Sequence, residues 1–200
     1  YNRLRKIGIY NFSVISGDNI KPDSIPDGMI NNLRNDHLKH NSNYIKGVVS
    51  CKRAHYKAIE TAYKEGYNNI LILEDDVLFN DDFNSRFRET IETVEKNSWD
   101  MLYFSAIHDS PCIYLGNSLM RMTGSLGSYA YAVNNVIIKV LYENLLKVGC
   151  ELDTFYNKYI HSNFRCFCIY PHIVSCEPNQ SIIYNTYIDY SMKIDNIPII

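Results

Sequence analysis

Residues 70–73 are wholly apolar (Ile-Leu-Ile-Leu), and the run stops abruptly in three carboxylates, Glu74, Asp75 and Asp76. A short continuous run of this kind predicts a strand buried on both faces of a sheet with helices on either side. Upstream, Ala54, Ala58, Ile59 and Ala62 recur at helical spacing between Ser50, a suitable N-cap, and Gly66, a suitable stop. Downstream, Phe83, Phe87, Ile91 and Val94 repeat in the same way behind Asp82, and residues 101–104 form a second apolar strand. Strand and helix alternate, which predicts a three-layer α/β fold.

The flanking pattern fits that frame. Residues 1–7 read as the end of a helix stopped by Gly8, and 12–16 (FSVIS) as a short strand. Between 18 and 43 a polar, Pro- and Asn-rich excursion leaves room for at most one short helix. Beyond the second apolar strand, 112–115 and 118–122 flank Gly116-Asn117 as a hairpin, followed by a strand over 129–133. A helix over 135–148, a short helix from Asp153 through 160, strands at 166–170 and 173–176, and an irregular tail complete the reading. The chain of 200 residues suits one domain, 1–200, that began as part of a longer precursor or is itself cytoplasmic.

Composition narrows the function. With 20 basic against 22 acidic residues and a formal charge of -2, no electrostatic case exists for a nucleic-acid surface. No apolar run approaches the roughly 18 residues of a transmembrane helix. Six cysteines lack paired CxxC spacing, so a structural zinc site is not indicated, and Cys166 and Cys168 fall on one strand face as buried thiols would. Sequons at Asn11 and Asn179 fit a secretory lumen without requiring it. The richness in Asn, Ile, Lys and Tyr is that of an A/T-rich genome, such as a protist's or a large virus's.

The acidic triplet carries the chemistry. Adjacent carboxylates repel and are stabilised by a cation or by hydrogen-bond donors; Mg or Mn takes oxygen ligands and keeps positions for phosphates. Ligands of open α/β sheets bind outside the carboxyl ends of strands, where the triplet lies. The plain alternative is a solvated acidic turn in which Asp81 and Asp82 cap a helix. A phosphoacceptor receiver domain also opens with a strand ending in an acidic pair, but Ser105 stands where its phosphorylated aspartate belongs.

The stretch from Gly47 to Phe79, GVVSCKRAHYKAIETAYKEGYNNILILEDDVLF, resembles the central block of glycosyltransferase family 25, the lipopolysaccharide and collagen galactosyltransferases. Gly47, Cys51, His55, the run from Leu71 to Val77 and Phe79 match; Ser50 and Ala54 replace a usual Gly and Ser. Trp99-Asp100, Tyr129-Ala130-Tyr131, ELDTFY, YPHIVSC and QSII follow in the family's order, so the likeness covers nearly all the chain from Gly8. The family's opening strand, with its Asn-Leu and Arg-rich turn, is not found here.

The resemblance implies a GT-A type, Rossmann-like sandwich with a mixed central sheet, apparently without its first strand. It implies a metal-dependent inverting transfer of galactose or glucose from a UDP-sugar to a glycan, lipopolysaccharide-like or hydroxylysine-type acceptor. The alternative is a non-catalytic GT-A-fold scaffold domain of a larger enzyme. Asp76 is the expected ligand of Mn2+ (or Mg2+), with Glu74 or Asp75 serving the metal or the donor ribose. Asp153 is the candidate base and Glu151 its runner-up. His55, Ser105, Gly127, Tyr129 and Tyr131 are candidates for binding donor or acceptor, the turn of Gly124, Ser125, Gly127 and Ser128 closing over them. His108 and Asp109 are read as facing the site, and His172 as able to supply a metal nitrogen.

Overall fold

The computed structural model describes residues 2–17, 32–34, 36–181, 183 and 186–188. Helix α1 (Asn2–Lys6) is followed by α2 (Ser42–Glu65), β1 (Asn69–Leu73), β2 (Val77–Phe79), α3 (Phe83–Lys96), β3 (Met101–Tyr103) and β4 (Ile107–His108). Then come β5 (Ile113–Gly116), β6 (Leu119–Arg121), β7 (Ser125–Leu126), β8 (Ala130–Asn134) and α4 (Asn135–Asn144). The chain continues through α5 (Leu152–Tyr156), β9 (Cys166–Ile169), β10 (Val174–Cys176), β11 (Asn179–Ser181) and β12 (Thr186–Ile188).

Six strands form a mixed sheet in the order β1-β8-β3-β9-β6-β5. Only β3 and β9 run parallel; the other pairs are antiparallel. Because side chains alternate across a strand, the sheet divides the core in two. Tyr131 and Val133 of β8, Met101 and Tyr103 of β3, and Cys166 and Cys168 of β9 face α2, α4 and α5, packing with Ile59, Ile137, Leu141 and Phe155. Ala130, Leu102, Phe167 and Ile169 face the opposite way, toward Phe83 and Val94 of α3. Side chains as fully buried as Ile59 and Val94 each contribute about 1.5–3 kcal/mol over an exposed position. The three-layer α/β arrangement read from the sequence is present, and Cys166 and Cys168 are the buried same-face thiols expected.

Four local expectations are corrected. The 12–16 segment makes no strand; Val14 and Ile15 are exposed, and an apolar run with no ladder partner has nothing to hold it extended. Helix α2 starts at Ser42 rather than Ser50, because the Asn41 side chain caps it, accepting from the amides of Asn43 and Tyr44, while Tyr44, Val48 and Val49 carry the apolar stripe two turns upstream. Asp82 is the N-cap of α3 but makes no capping bond; its carboxylate lies 3.8 Å from Arg86 instead. Strand β1 is an edge strand of the sheet among the described residues, and with Leu71 38% exposed it is not buried on both faces.

Other boundaries shift by little. Helix α4 ends at Asn144 and continues as a 3-10 turn, Leu145–Lys147, while α5 passes into a π-helical turn, Asn157–His161. The hairpin turns through Gly116 (φ 88), Asn117 (φ 48) and Ser118 (φ 59), left-handed conformations that Gly and Asn tolerate best. The tail contains the β11–β12 pair rather than only irregular chain. Most of the polar excursion lies outside the described residues; the part described includes one 3-10 turn, Asp36–Leu38.

Candidate active site

The triplet follows β1 at the carboxyl end of the strand, as read. Glu74 is tied to β8, its amide donating to the Tyr129 carbonyl at 2.8 Å, while the Asp76 carbonyl accepts from the Glu177 amide at 2.8 Å. These bonds fix the backbone and turn the three side chains to different surroundings: Asp75 is exposed, Glu74 and Asp76 half-buried.

Glu74 points toward α2. Its Oε1 lies 3.2 Å from His55 Nε2, and His55 Nδ1 lies 2.8 Å from the Tyr131 hydroxyl, which lies 2.7 Å from the Tyr156 hydroxyl. With Glu74 ionised and His55 neutral, one proton arrangement satisfies every atom: His55 Nε2–H donates to Glu74, Tyr131 donates to Nδ1, and Tyr156 donates to Tyr131. Burial pushes both phenols well above their ordinary values, so they stay protonated. Cys51, one helical turn before His55, completes a group in which Cys51, His55 and Glu74 each offer an atom within 4.8 Å of the others.

Asp76 belongs to the other side of the strand end. Burial pushes the Tyr129 phenol up, the Ser105 bond opposes this, and the neighbouring Asp76 charge adds to the rise. Ser105 Oγ and the Tyr129 hydroxyl are 2.5 Å apart.

Asp153 lies on α5. Its Oδ1 accepts from the Thr154 amide at 2.8 Å and its Oδ2 from the Gly127 amide at a long 3.5 Å, with Arg34 Nη1 3.9 Å away. Burial pushes this carboxyl up, against the opposing pull of Arg34 and the two amides; the helix end does not by itself hold it ionised as expected. The Cys51 thiol, raised first by burial, is raised further by both Glu74 and Asp153. Both carboxylates are therefore near enough to Cys51 to act on its thiol. Beside Asp153 opens a cavity of about 530 Å³, lined by Arg34, Asp109, Leu126, Thr154 and Asn157 among others.

The remaining sequence candidates are redistributed. Glu151 does not qualify as a base, since its carboxylate accepts from the Arg34 amide (2.9 and 3.1 Å) and from the Tyr44 hydroxyl (2.7 Å); it clamps the 32–34 segment to α5. Tyr131 is fully buried and Tyr129 nearly so, with the Gly127 backbone packed on its ring, so neither presents an open face for stacking on a sugar or base. Ser105 and His55 are likewise buried supports. The turn of Gly124 to Ser128 is held rather than free: the Ser125 hydroxyl donates to the Ile107 carbonyl, β7 pairs with β4, and a Cβ at Gly124 would lie 2.5 Å from Ser110 Oγ. Asp109 lines the cavity, accepting from Asn157 Nδ2 at 2.6 Å. His108 and His172 meet elsewhere, their rings stacked 5.8 Å apart. Sequence reasoning gave no role to Cys51, Arg34 or Tyr156.

A mixed sheet between helical layers, with an acidic triplet where β1 ends, is consistent with a Rossmann-like α/β fold, in which ligands bind at strand ends. The model of "Glycosyltransferase family 25 (LPS biosynthesis protein)" matches residues 3–156, and the chain belongs to glycosyltransferase family 25. It is similar to "Inactive glycosyltransferase 25 family member 3" of Homo sapiens, 37% identical over 68 residues, which is 33% of this chain and 11% of that protein. "Probable inactive glycosyltransferase 25 family member 3" of Rattus norvegicus is 35% identical over 68 residues, 33% of this chain and 12% of that protein. The chain thus matches only about an eighth or less of the length of these relatives.

Proposed function

We propose that this chain carries the metal-binding and base-bearing part of a GT-A type, inverting hexosyltransferase that uses a UDP-sugar. The observation that carries the reading is that Glu74, at the end of β1, and the half-buried, raised Asp153 both act on Cys51, with an open cavity beside Asp153. The donor set suits a hard divalent cation such as Mn2+ or Mg2+: Asp76 and the exposed Asp75 offer oxygens, whereas Glu74 is engaged by His55. Bound there, the cation would supply charge neutralisation for a leaving diphosphate.

The chain's own residues divide the rest of the work. Asp153 accepts the proton of an acceptor hydroxyl as that oxygen bonds to the anomeric carbon and the bond to UDP breaks, a single displacement that inverts the centre. Its raised affinity for a proton makes it a better base than an exposed aspartate. Arg34 and the Gly127 amide orient it. The Glu74–His55–Tyr131–Tyr156 chain holds the strand end against α2 and α5. Galactose or glucose as donor sugar, and a glycan, lipid-linked or hydroxylysine-type acceptor, are the substrates this reading takes.

A second reading, a non-catalytic domain with the same fold, is favoured by the printed names of the relatives and by the withdrawal of Glu74 from the triplet. UDP release from UDP-galactose and UDP-glucose with Mn2+ separates the two. The first reading expects release by the wild-type chain and its loss in Asp76→Ala and Asp153→Asn; equal background in all three gives the domain to the second.

A further inference from the structure

His108 at the end of β4, Cys168 on β9 and His172 just beyond β9 each contribute one nitrogen or sulfur atom to a group whose members lie within 4.8 Å of one another. The group is inside the protein: Cys168 is fully buried, and each histidine keeps only 8% of its surface. Both ring nitrogens of His172 and Nε2 of His108 make no hydrogen bond there. Buried polar atoms in folded proteins are almost always satisfied, and two histidines with orphaned nitrogens meeting beside one thiol are an unusual concentration of exceptions.

We propose that His108, Cys168 and His172 form a binding site for zinc, separate from the carboxylate site at Asp76, with a water molecule at the fourth position.

Two imidazoles and a thiolate are a borderline-soft donor set that selects zinc over Mn2+ or Mg2+, which prefer oxygen. In a tetrahedral centre with bonds of about 2.0–2.3 Å, ligand atoms lie roughly 3.4–3.7 Å apart. The three candidate atoms lie within 4.8 Å of one another, so binding would draw them closer together. His108 Nδ1 lies 3.1 Å from Cys112 Sγ; if Nδ1–H donates to that sulfur, the lone pair on Nε2 is left for the metal, the outer-shell arrangement common to metal-bound histidines. On binding, Cys168 releases its thiol proton to solvent and the sulfur lone pair forms the bond to zinc, with no change of oxidation state.

The site's position gives it a use. The His172 carbonyl accepts from Asn80 Nδ2 at 3.0 Å and from Arg86 Nη1 at 3.4 Å, and β4 pairs with β7, next to Gly127. Zinc would join the chain beyond β9 to the β4–β7 ladder, and through it the loops around Asp153.

Chelator-treated protein titrated with Co2+ and with Zn2+ tests the proposal, read by a sulfur-to-cobalt charge-transfer band, zinc stoichiometry and melting temperature. Wild type is expected to bind one equivalent at micromolar metal, show the band and melt at a higher temperature with zinc. Cys168→Ser and His172→Gln, each with a native circular dichroism spectrum, should lose the band and about 100-fold or more in zinc affinity. Asp76→Asn and Cys51→Ser should retain both, which separates this site from the carboxylate site and from the Cys51 group. If Cys168→Ser does not fold, His172→Gln, on the chain beyond β9, decides alone. A wild type without stoichiometric zinc, or a band that survives in His172→Gln, overturns the proposal.

Discussion

His55 Nε2 stands 3.2 Å from Glu74 Oε1, a contact that separates the first carboxylate of the triplet from the two that follow. A carboxylate already accepting from a buried histidine offers less to a cation than Asp76, which lies on the other side of the strand end beside Tyr129. Asp76→Asn is therefore expected to lower Mn2+ affinity more than about 100-fold, and Glu74→Gln by about 10-fold, the low end of an outer-shell effect. Electron paramagnetic resonance of free Mn2+ during titration measures both. The reverse order would assign the metal to Glu74.

Asp153 is buried enough that its carboxyl is raised, despite Arg34 and two amide donors. A carboxyl raised on folding favours the protonated form in the native state. Its relative stabilisation is complete below the ordinary aspartate value and is lost as pH climbs through the raised one. Asp153→Asn should consequently melt at or above the wild-type temperature at neutral pH, with the advantage vanishing in acid, while sugar transfer disappears. Calorimetry across pH checks the first half and UDP release the second. An Asp153→Asn protein that is less stable at neutral pH would identify Asp153 as a structural cap.

Much of the fold was legible because β-strand alternation and helical spacing are local properties. The 2-residue period of Ala130 to Val133 and the stripe of Ile59 and Ala62 survive unchanged in the two cores. What could not be read was decided by distant partners. Leu71 reads as a core residue, yet β1 ends the described sheet; strand order is not a property of a strand's own residues. Glu151 and Asp153, two positions apart, look alike in sequence, and only Tyr44 and Arg34, over a hundred residues upstream, make one a clamp and leave the other at the cavity. Tyr131 reads as a candidate for binding donor or acceptor because an aromatic in a strand gives no sign of which hydroxyl will meet it across the core.

His161 gives the fold an acid limit. It is buried, with Nε2 3.0 Å from the Tyr103 hydroxyl, and burial, helped by nearby His108, lowers it to about 3 from the ordinary 6.5. A histidine lowered on folding contributes stability that is present above 6.5 and is lost progressively as pH falls toward the folded value. This residue alone imposes a slope approaching about 1.4 kcal/mol per pH unit through that window. His161→Gln, which can still accept from Tyr103, should flatten the fall in unfolding free energy between pH 6 and 4 by up to about that slope. Denaturant titrations at intervals across the window give the comparison; parallel curves for the two proteins would mean that His161 is already charged in the native state.

Asp100 joins three strands through one carboxylate. Its Oδ2 accepts from the Arg165 amide (2.9 Å) and Nε (3.0 Å), and its Oδ1 from Arg165 Nη2 (3.0 Å) and Asn134 Nδ2 (3.1 Å). That ties the start of β3 to the chain entering β9 and to Asn134, whose own side chain caps α4. Burial pushes the carboxyl up, but the bonds from Arg165 and Asn134 outweigh it and hold it below the ordinary value. The resulting stability is present above about pH 4 and is lost as pH falls through the lowered value. Asp100→Ala removes four acceptor contacts and leaves a backbone amide without a partner, so it should cost about 2–4 kcal/mol at neutral pH. Asp100→Asn should cost less, because one carbonyl oxygen can still accept from the amide or the guanidinium. The difference between wild type and Asp100→Ala should shrink at low pH, where the carboxylate is lost in both. Urea unfolding at neutral and acid pH tests this; an equal loss at both would show that Asp100 contributes packing rather than charge.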